Sequence, residues 1–140
     1  MTLHVRIRVP AFPAALEAVA EGLVRVNIVL LDYAVRRGVE VPALYDSGVR
    51  YVREPKGREW WETAQDLLSI STTKSGDCED LASFRAAELR YFEGDDDACV
   101  RIVRTRRGSF HAIVQRGDGE TEDPSRILLD IEADRKRATR

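Results

Sequence analysis

One change of apolar period restricts what this chain can fold into more than any other feature. Between Glu79 and Phe92 the residues Leu81, Phe84, Ala87, Leu89 and Tyr91 recur at helical intervals, and Gly94 with Asp95–Asp97 closes the segment. From Ala98 to Thr105 and from Ser109 to Arg116 the sequence reads instead as strand, with a turn at Arg106–Gly108 between the two runs and Gly117–Gly119 leading toward a third. A helix followed by an antiparallel meander places the chain in the α+β class.

The first half adds helix and connector. Leu3, Val5, Ile7 and Val9 alternate with His4, Arg6 and Arg8, which predicts a half-buried strand ended by Pro10 and Pro13. From Pro13 to about Arg37 an Ala-, Leu- and Val-rich run predicts the longest helix, with Arg36 and Arg37 suiting its C-terminal dipole and Gly38 its cap. Residues 39–58 hold Pro42, Gly48, Pro55 and Gly57 around Val49–Val52, a connector with one short strand. Trp60–Leu68 has helical spacing, Ser71–Gly76 is a polar turn, and the tail from Ala133 to Arg140 is expected to be loosely held.

With 140 residues, one domain spanning 1–140 is expected. A hydrophobic fraction of 44% fits a folded chain rather than a disordered one. The net charge of -2 recruits neither nucleic acid nor an anionic membrane. Arg101, Arg104, Arg106 and Arg107 read as a solvated strand face rather than a nucleic-acid patch. No secretory signal or membrane-spanning run is legible, so a cytoplasmic location is expected.

Two cysteines are too few for a disulfide framework and lack the paired spacing of a zinc site. Gly76-Asp77-Cys78 puts one sulfur at a helix start, where unpaired N–H groups favour thiolate and are placed to bind an oxyanion. Cys99, in Ala98-Cys99-Val100-Arg101-Ile102-Val103, reads as a small buried hydrophobe. His111 interrupts an apolar strand and must find partners or face a site, whereas His4 sits among arginines and is a poor base.

Register supplies the third residue. If Arg116 pairs with Glu120 across the three-residue loop 117–119, His111 faces Ser125, Ile113 faces Asp123, and Asp123 shares the face of His111 one diagonal step away. A two-residue loop would put Glu122 there instead. The glycines at both loop ends favour the longer form.

These residues, with Trp60-Trp61-Glu62-Thr63-Ala64-Gln65-Asp66-Leu67-Leu68, Gly76-Asp77-Cys78-Glu79-Asp80-Leu81-Ala82, Phe110-His111-Ala112 and Asp123-Pro124-Ser125, resemble the transglutaminase-like superfamily. The nearest likeness is to bacterial transglutaminase-like cysteine proteinases, over a motif core of about residues 60–125. The resemblance implies a papain-like core, a cysteine helix on an antiparallel sheet bearing histidine and aspartate. It also implies acyl transfer on a protein or peptide amide, with Cys78 as nucleophile, His111 as base and Asp123 orienting it. No cofactor is required by that chemistry. Some members of the proteinase branch bind calcium beside the nucleophile, which corresponds here to Asp77 and Glu79; helix capping is the alternative role for both.

Trp60 and Trp61 are candidates for a cleft wall, and Gln65 for an oxyanion donor. Hydrolysis is the first reading and transfer to an amine the second. A non-catalytic interaction module is the third. Compact versions of this domain resemble those encoded among phage structural genes, which admits a virion-associated place.

Overall fold

The computed structural model describes residues 4–55, 60–69 and 74–140. The first helix, α1 (Pro13–Arg36), follows the expected bounds closely: Pro13 opens it, and Gly38, at φ 71°, closes it by donating to the Val35 carbonyl. Its buried residues Ala20, Val24, Asn27 and Leu31 repeat at spacings of four, three and four, the stripe that packs on its neighbours.

A connector with one 3₁₀ turn (Leu44–Asp46) leads to β1 (Arg50–Tyr51), inside the expected Val49–Val52 run; residues 56–58 of that connector lie outside the described residues. The helix expected over Trp60–Leu68 is shorter, α2 (Ala64–Leu68). Thr63 and Asp66 form a capping box, so the chain turns helical only after Thr63. The Ala64 N–H donates to the buried Asn27 Oδ1 at 2.8 Å, which fixes α2 to α1.

Of the polar turn expected over Ser71–Gly76, residues 71–73 lie outside the described residues; the rest holds β2 (Ser75–Gly76), parallel to β1 with Tyr51 opposite Gly76. A Cβ at Gly76 would sit 2.5 Å from Leu67 Cδ2, so only glycine lets this strand pass under α2. Two residues later α3 (Cys78–Phe92) begins. It is buried almost all round, with Leu81, Ala82, Phe84, Ala86, Ala87 and Leu89 inside, and it forms the centre of the core. Arg90 forks onto Glu21 at 2.8 and 2.7 Å, pinning α3 to α1.

The meander is β3 (Cys99–Arg104), β4 (Phe110–Gln115) and β5 (Thr121–Glu122), antiparallel in that order. Val114 pairs with Glu122 and Gln115 with Thr121, and the Arg116 N–H donates to the Glu120 carbonyl. This is the three-residue loop, with Gly119 at φ 91°. The ladder stops at Glu122, so Ser125 never pairs with His111. Asp123 instead caps a helix, α4 (Pro124–Ala138).

Two expectations fail. The tail from Ala133 is not loose through most of its length, because α4 runs to Ala138, with Pro124 opening it and Arg126–Asp130 and Glu132–Lys136 pairing along it. The N-terminal strand does not form over the described residues 4–9. The alternation suits a strand, but a strand needs a free edge. Beside β3 that edge is taken by α1, whose Glu17 accepts the Ile102 N–H at 3.1 Å. No helix among the described residues is long and apolar enough to cross a membrane.

Candidate active site

Cys78 is the first residue of α3, 8% exposed, and lines a cleft of about 1010 Å³ together with His111. Antiparallel pairing puts β4 beside the start of α3, and the Ala112 backbone hydrogen-bonds the Cys78 sulfur. The helix bearing the thiol and the strand bearing the imidazole are therefore held together at that atom.

His111 Nε2 lies 2.7 Å from Asp123 Oδ2. Asp123 Oδ1 accepts the Arg126 N–H at 3.3 Å, so the carboxylate that caps α4 also orients the imidazole. With Nε2 donating to the carboxylate, Nδ1 keeps its lone pair for a proton from the cleft side. The Asp123 bond holds the His111 pKa above its usual value; burial raises the Asp123 carboxyl, but the hydrogen bond and charge of His111 together with the Arg126 and Ser125 backbone N–H groups outweigh it and the net shift is downward.

The carboxylate is positioned by the residue before it. Glu122 accepts from Tyr45 Oη at 2.8 Å and from Arg116 Nη2 at 2.9 Å, and pairs with Arg85 of α3. This half-buried cluster ties β5 to α3 and so holds Asp123 at its distance from His111. In the sequence Glu122 stood out only as the residue a shorter loop would have placed beside His111.

The thiol departs from expectation. Burial pushes the Cys78 pKa up, and the Glu79 and Asp77 carboxyls beside it push the same way; the Ala112 hydrogen bond opposes them without prevailing. The helix start does not by itself yield a free thiolate, so the proton must be taken by a base as the sulfur attacks.

Asp77 is 7% exposed, and its Oδ1 is buried without a hydrogen-bond partner among the described residues; burial above all, and then the hydrogen bond to Glu79, hold its carboxyl up. Asp77 is the N-cap of α3 and forms a capping box with Asp80, which accepts the Asp77 N–H at 3.2 Å and also the Glu62 N–H at 2.7 Å. Burial drives the Asp77 and Asp80 carboxyls well above the usual carboxylate range. Ligand atoms of Glu54, Asp77 and Asp80 lie within 4.8 Å of one another. The acidic group is thus Glu54, Asp77 and Asp80, with Glu79 outside it. Glu54 had no local signal, since it is brought in from the far side of β1.

Trp60 and Trp61 line the cleft, Trp60 largely exposed. Gln65 does not line it: the residue is exposed on α2, away from Cys78, and is removed from the oxyanion candidates. His4, which the sequence set aside, does line the cleft, edge-on to Trp60 at 6.2 Å, but has no carboxylate partner among the described residues. Cys99 is half-buried on β3 rather than fully buried, and lies outside the cleft.

No protein-family model, curated protein or solved structure matches this chain.

Proposed function

We propose that the chain is a cysteine-dependent acyl transferase of the transglutaminase-like kind, with a papain-like core, acting on a protein or peptide amide and passing the acyl group to water. The observation that carries the reading is the juxtaposition at Cys78: a sulfur at the start of α3, reached by the Ala112 backbone, in one cleft with a histidine held by Asp123 at 2.7 Å.

His111 Nδ1 takes the thiol proton as sulfur adds to the amide carbonyl, forming the S–C bond. Backbone N–H groups at the start of α3 face the developing oxyanion. The imidazolium, stabilised by Asp123, returns the proton to the amine as the C–N bond breaks, leaving a thioester. Water, deprotonated by His111, then attacks and restores the thiol. A primary amine in place of water gives the transamidation variant.

Calcium fits the acidic group by donor type. The atoms are hard carboxylate oxygens, and Asp77 carries a buried Oδ1 with no hydrogen-bond partner among the described residues, although three carboxylates supply only part of the six to eight oxygens the ion takes. Glu54, Asp77 and Asp80 would hold it. Bound there, it supplies positive charge beside the carboxyls that now oppose ionisation of Cys78. Titrating calcium into the metal-free protein is expected to raise the melting temperature by a few degrees, and Asp77→Asn to abolish the rise; an unchanged melting temperature removes calcium from the reading.

The catalytic reading is tested by iodoacetamide alkylation, followed by mass spectrometry at Cys78 and, as an internal control, Cys99. Cys78 should react faster than Cys99, and His111→Ala should slow Cys78 alone by roughly tenfold or more. The raised thiol pKa favours one alternative, a non-catalytic interaction module that keeps the fold. Indifference of Cys78 to His111→Ala would select it.

A further inference from the structure

Of the eighteen arginines among the described residues, eight, at 25, 36, 85, 90, 101, 116, 126 and 137, are paired with carboxylates and ten are not. Arg53, Arg106 and Arg107 line the catalytic cleft, and none of them has an ion-pair partner among the described residues. They come from two separate elements. Arg53 follows β1, whose Tyr51 pairs with Gly76 just before Cys78, and the Val52 N–H bonds the Gly76 carbonyl at 2.9 Å. Arg106 and Arg107 form the tip of the β3–β4 hairpin, closed by Gly108 at φ 79° and the bond from its N–H to Thr105. One guanidinium follows the strand that pairs beside Cys78, and two precede the strand that bears His111.

Guanidiniums without an ion-pair partner that line one cleft from two elements are a recognition feature for carboxylates, which they bind with two parallel hydrogen bonds. Arg107 is four residues before His111, at most about 13 Å along the chain at a strand's rise, the span of about four residues of an extended peptide. Between the arginines the cleft presents Trp60 and Phe110, surfaces suited to apolar side chains.

We propose that this cleft selects an extended peptide segment bearing acidic residues within about four positions of the reacting amide, its carboxylates taken by Arg53 on one side and by Arg106 and Arg107 on the other. The substrate class rests on the acyl-transfer reading, since it uses the same cleft. A nucleic acid is the poorer occupant. Its phosphates repeat without a break, and the cleft that holds Cys78 is also lined by Glu54 and Glu79. A peptide can keep its charges at the arginines and a neutral amide in the centre.

The test uses three fluorescein-labelled peptides of eleven residues with a central Gln in an Ala/Val background and Glu, Gln or Lys at the third and fourth positions on either side. Binding is read by fluorescence anisotropy on the full chain carrying Cys78→Ala, and turnover is read separately on the wild type. The Glu peptide should bind about tenfold or more tightly than the Lys peptide. Arg106→Gln with Arg107→Gln should reduce that preference to about threefold or less, as should 0.5 M salt, with the circular dichroism spectrum unchanged. Equal binding of the three peptides, no binding of the Glu peptide at millimolar concentration, or a preference that survives replacement of all three arginines would overturn the proposal. So would displacement of the Glu peptide by single-stranded DNA of equal charge at lower concentration. Arginine-dependent binding without turnover leaves recognition standing and removes the enzyme; turnover without charge preference does the reverse.

Discussion

Asp123 does two jobs with two oxygens, capping α4 through Oδ1 and holding His111 through Oδ2. Asp123→Asn separates them, because asparagine caps as well as aspartate but brings no charge. The His111 pKa is raised above 6.5, so its contribution to stability is complete below that value and is lost as pH rises through the folded-state value. The Asp123 pKa is lowered below 3.8, so its contribution is present above that value and is lost as pH falls through the folded-state value. The charged pair therefore helps most between the two. Urea unfolding should show the stability gap between wild type and Asp123→Asn widest near about pH 5–6 and narrower above about pH 8, its maximum on the order of 1 kcal/mol once solvent screening is allowed for. A gap that is flat with pH would mean the ion pair adds nothing. Cys78 was legible from its place at a helix start, His111 because it interrupts an apolar strand, and Asp123 through the register of the 117–119 loop. The upward shift of the thiol was not, because the burial behind it comes from the whole core.

At the scale of elements, β5 is two residues long and owes its place to side chains as much as to its ladder. Glu122 joins Tyr45, Arg85 of α3 and Arg116 of the preceding turn. Glu122→Gln takes from Arg116 its ion-pair partner among the described residues and from Arg85 one of three, Glu88 and Glu93 remaining, and should cost about 1–3 kcal/mol. It should also loosen the His111–Asp123 bond, seen as a fall of the His111 pKa toward its usual value by NMR titration. A loss under about 0.5 kcal/mol would mean the turn alone holds β5. The glycine positions of the 117–119 loop made the β4–β5 register readable in advance, since turn chemistry is local. The helix α4 was missed although Asp123-Pro124 is a helix opening and its charges pair four apart. With only Pro124, Ser125 and Leu128 buried, its apolar stripe is too thin to stand out against a charged surface.

For the molecule as a whole, the cleft is assembled from segments far apart in the chain: the N-terminal arm, the end of β1, the start of α3 and the β3–β4 hairpin. The class, the long first helix, the cysteine at a helix start and the meander with its register were all within reach of the sequence alone, because each rests on local periodicity, capping or turn geometry. The failed N-terminal strand, the joining of Glu54 to Asp77 and Asp80, the absence of Gln65 from the cleft lining and the gathering of three arginines into one cleft were decided only in three dimensions. A strand exists only where another edge is free, and charges act through distances in space that sequence separation does not encode.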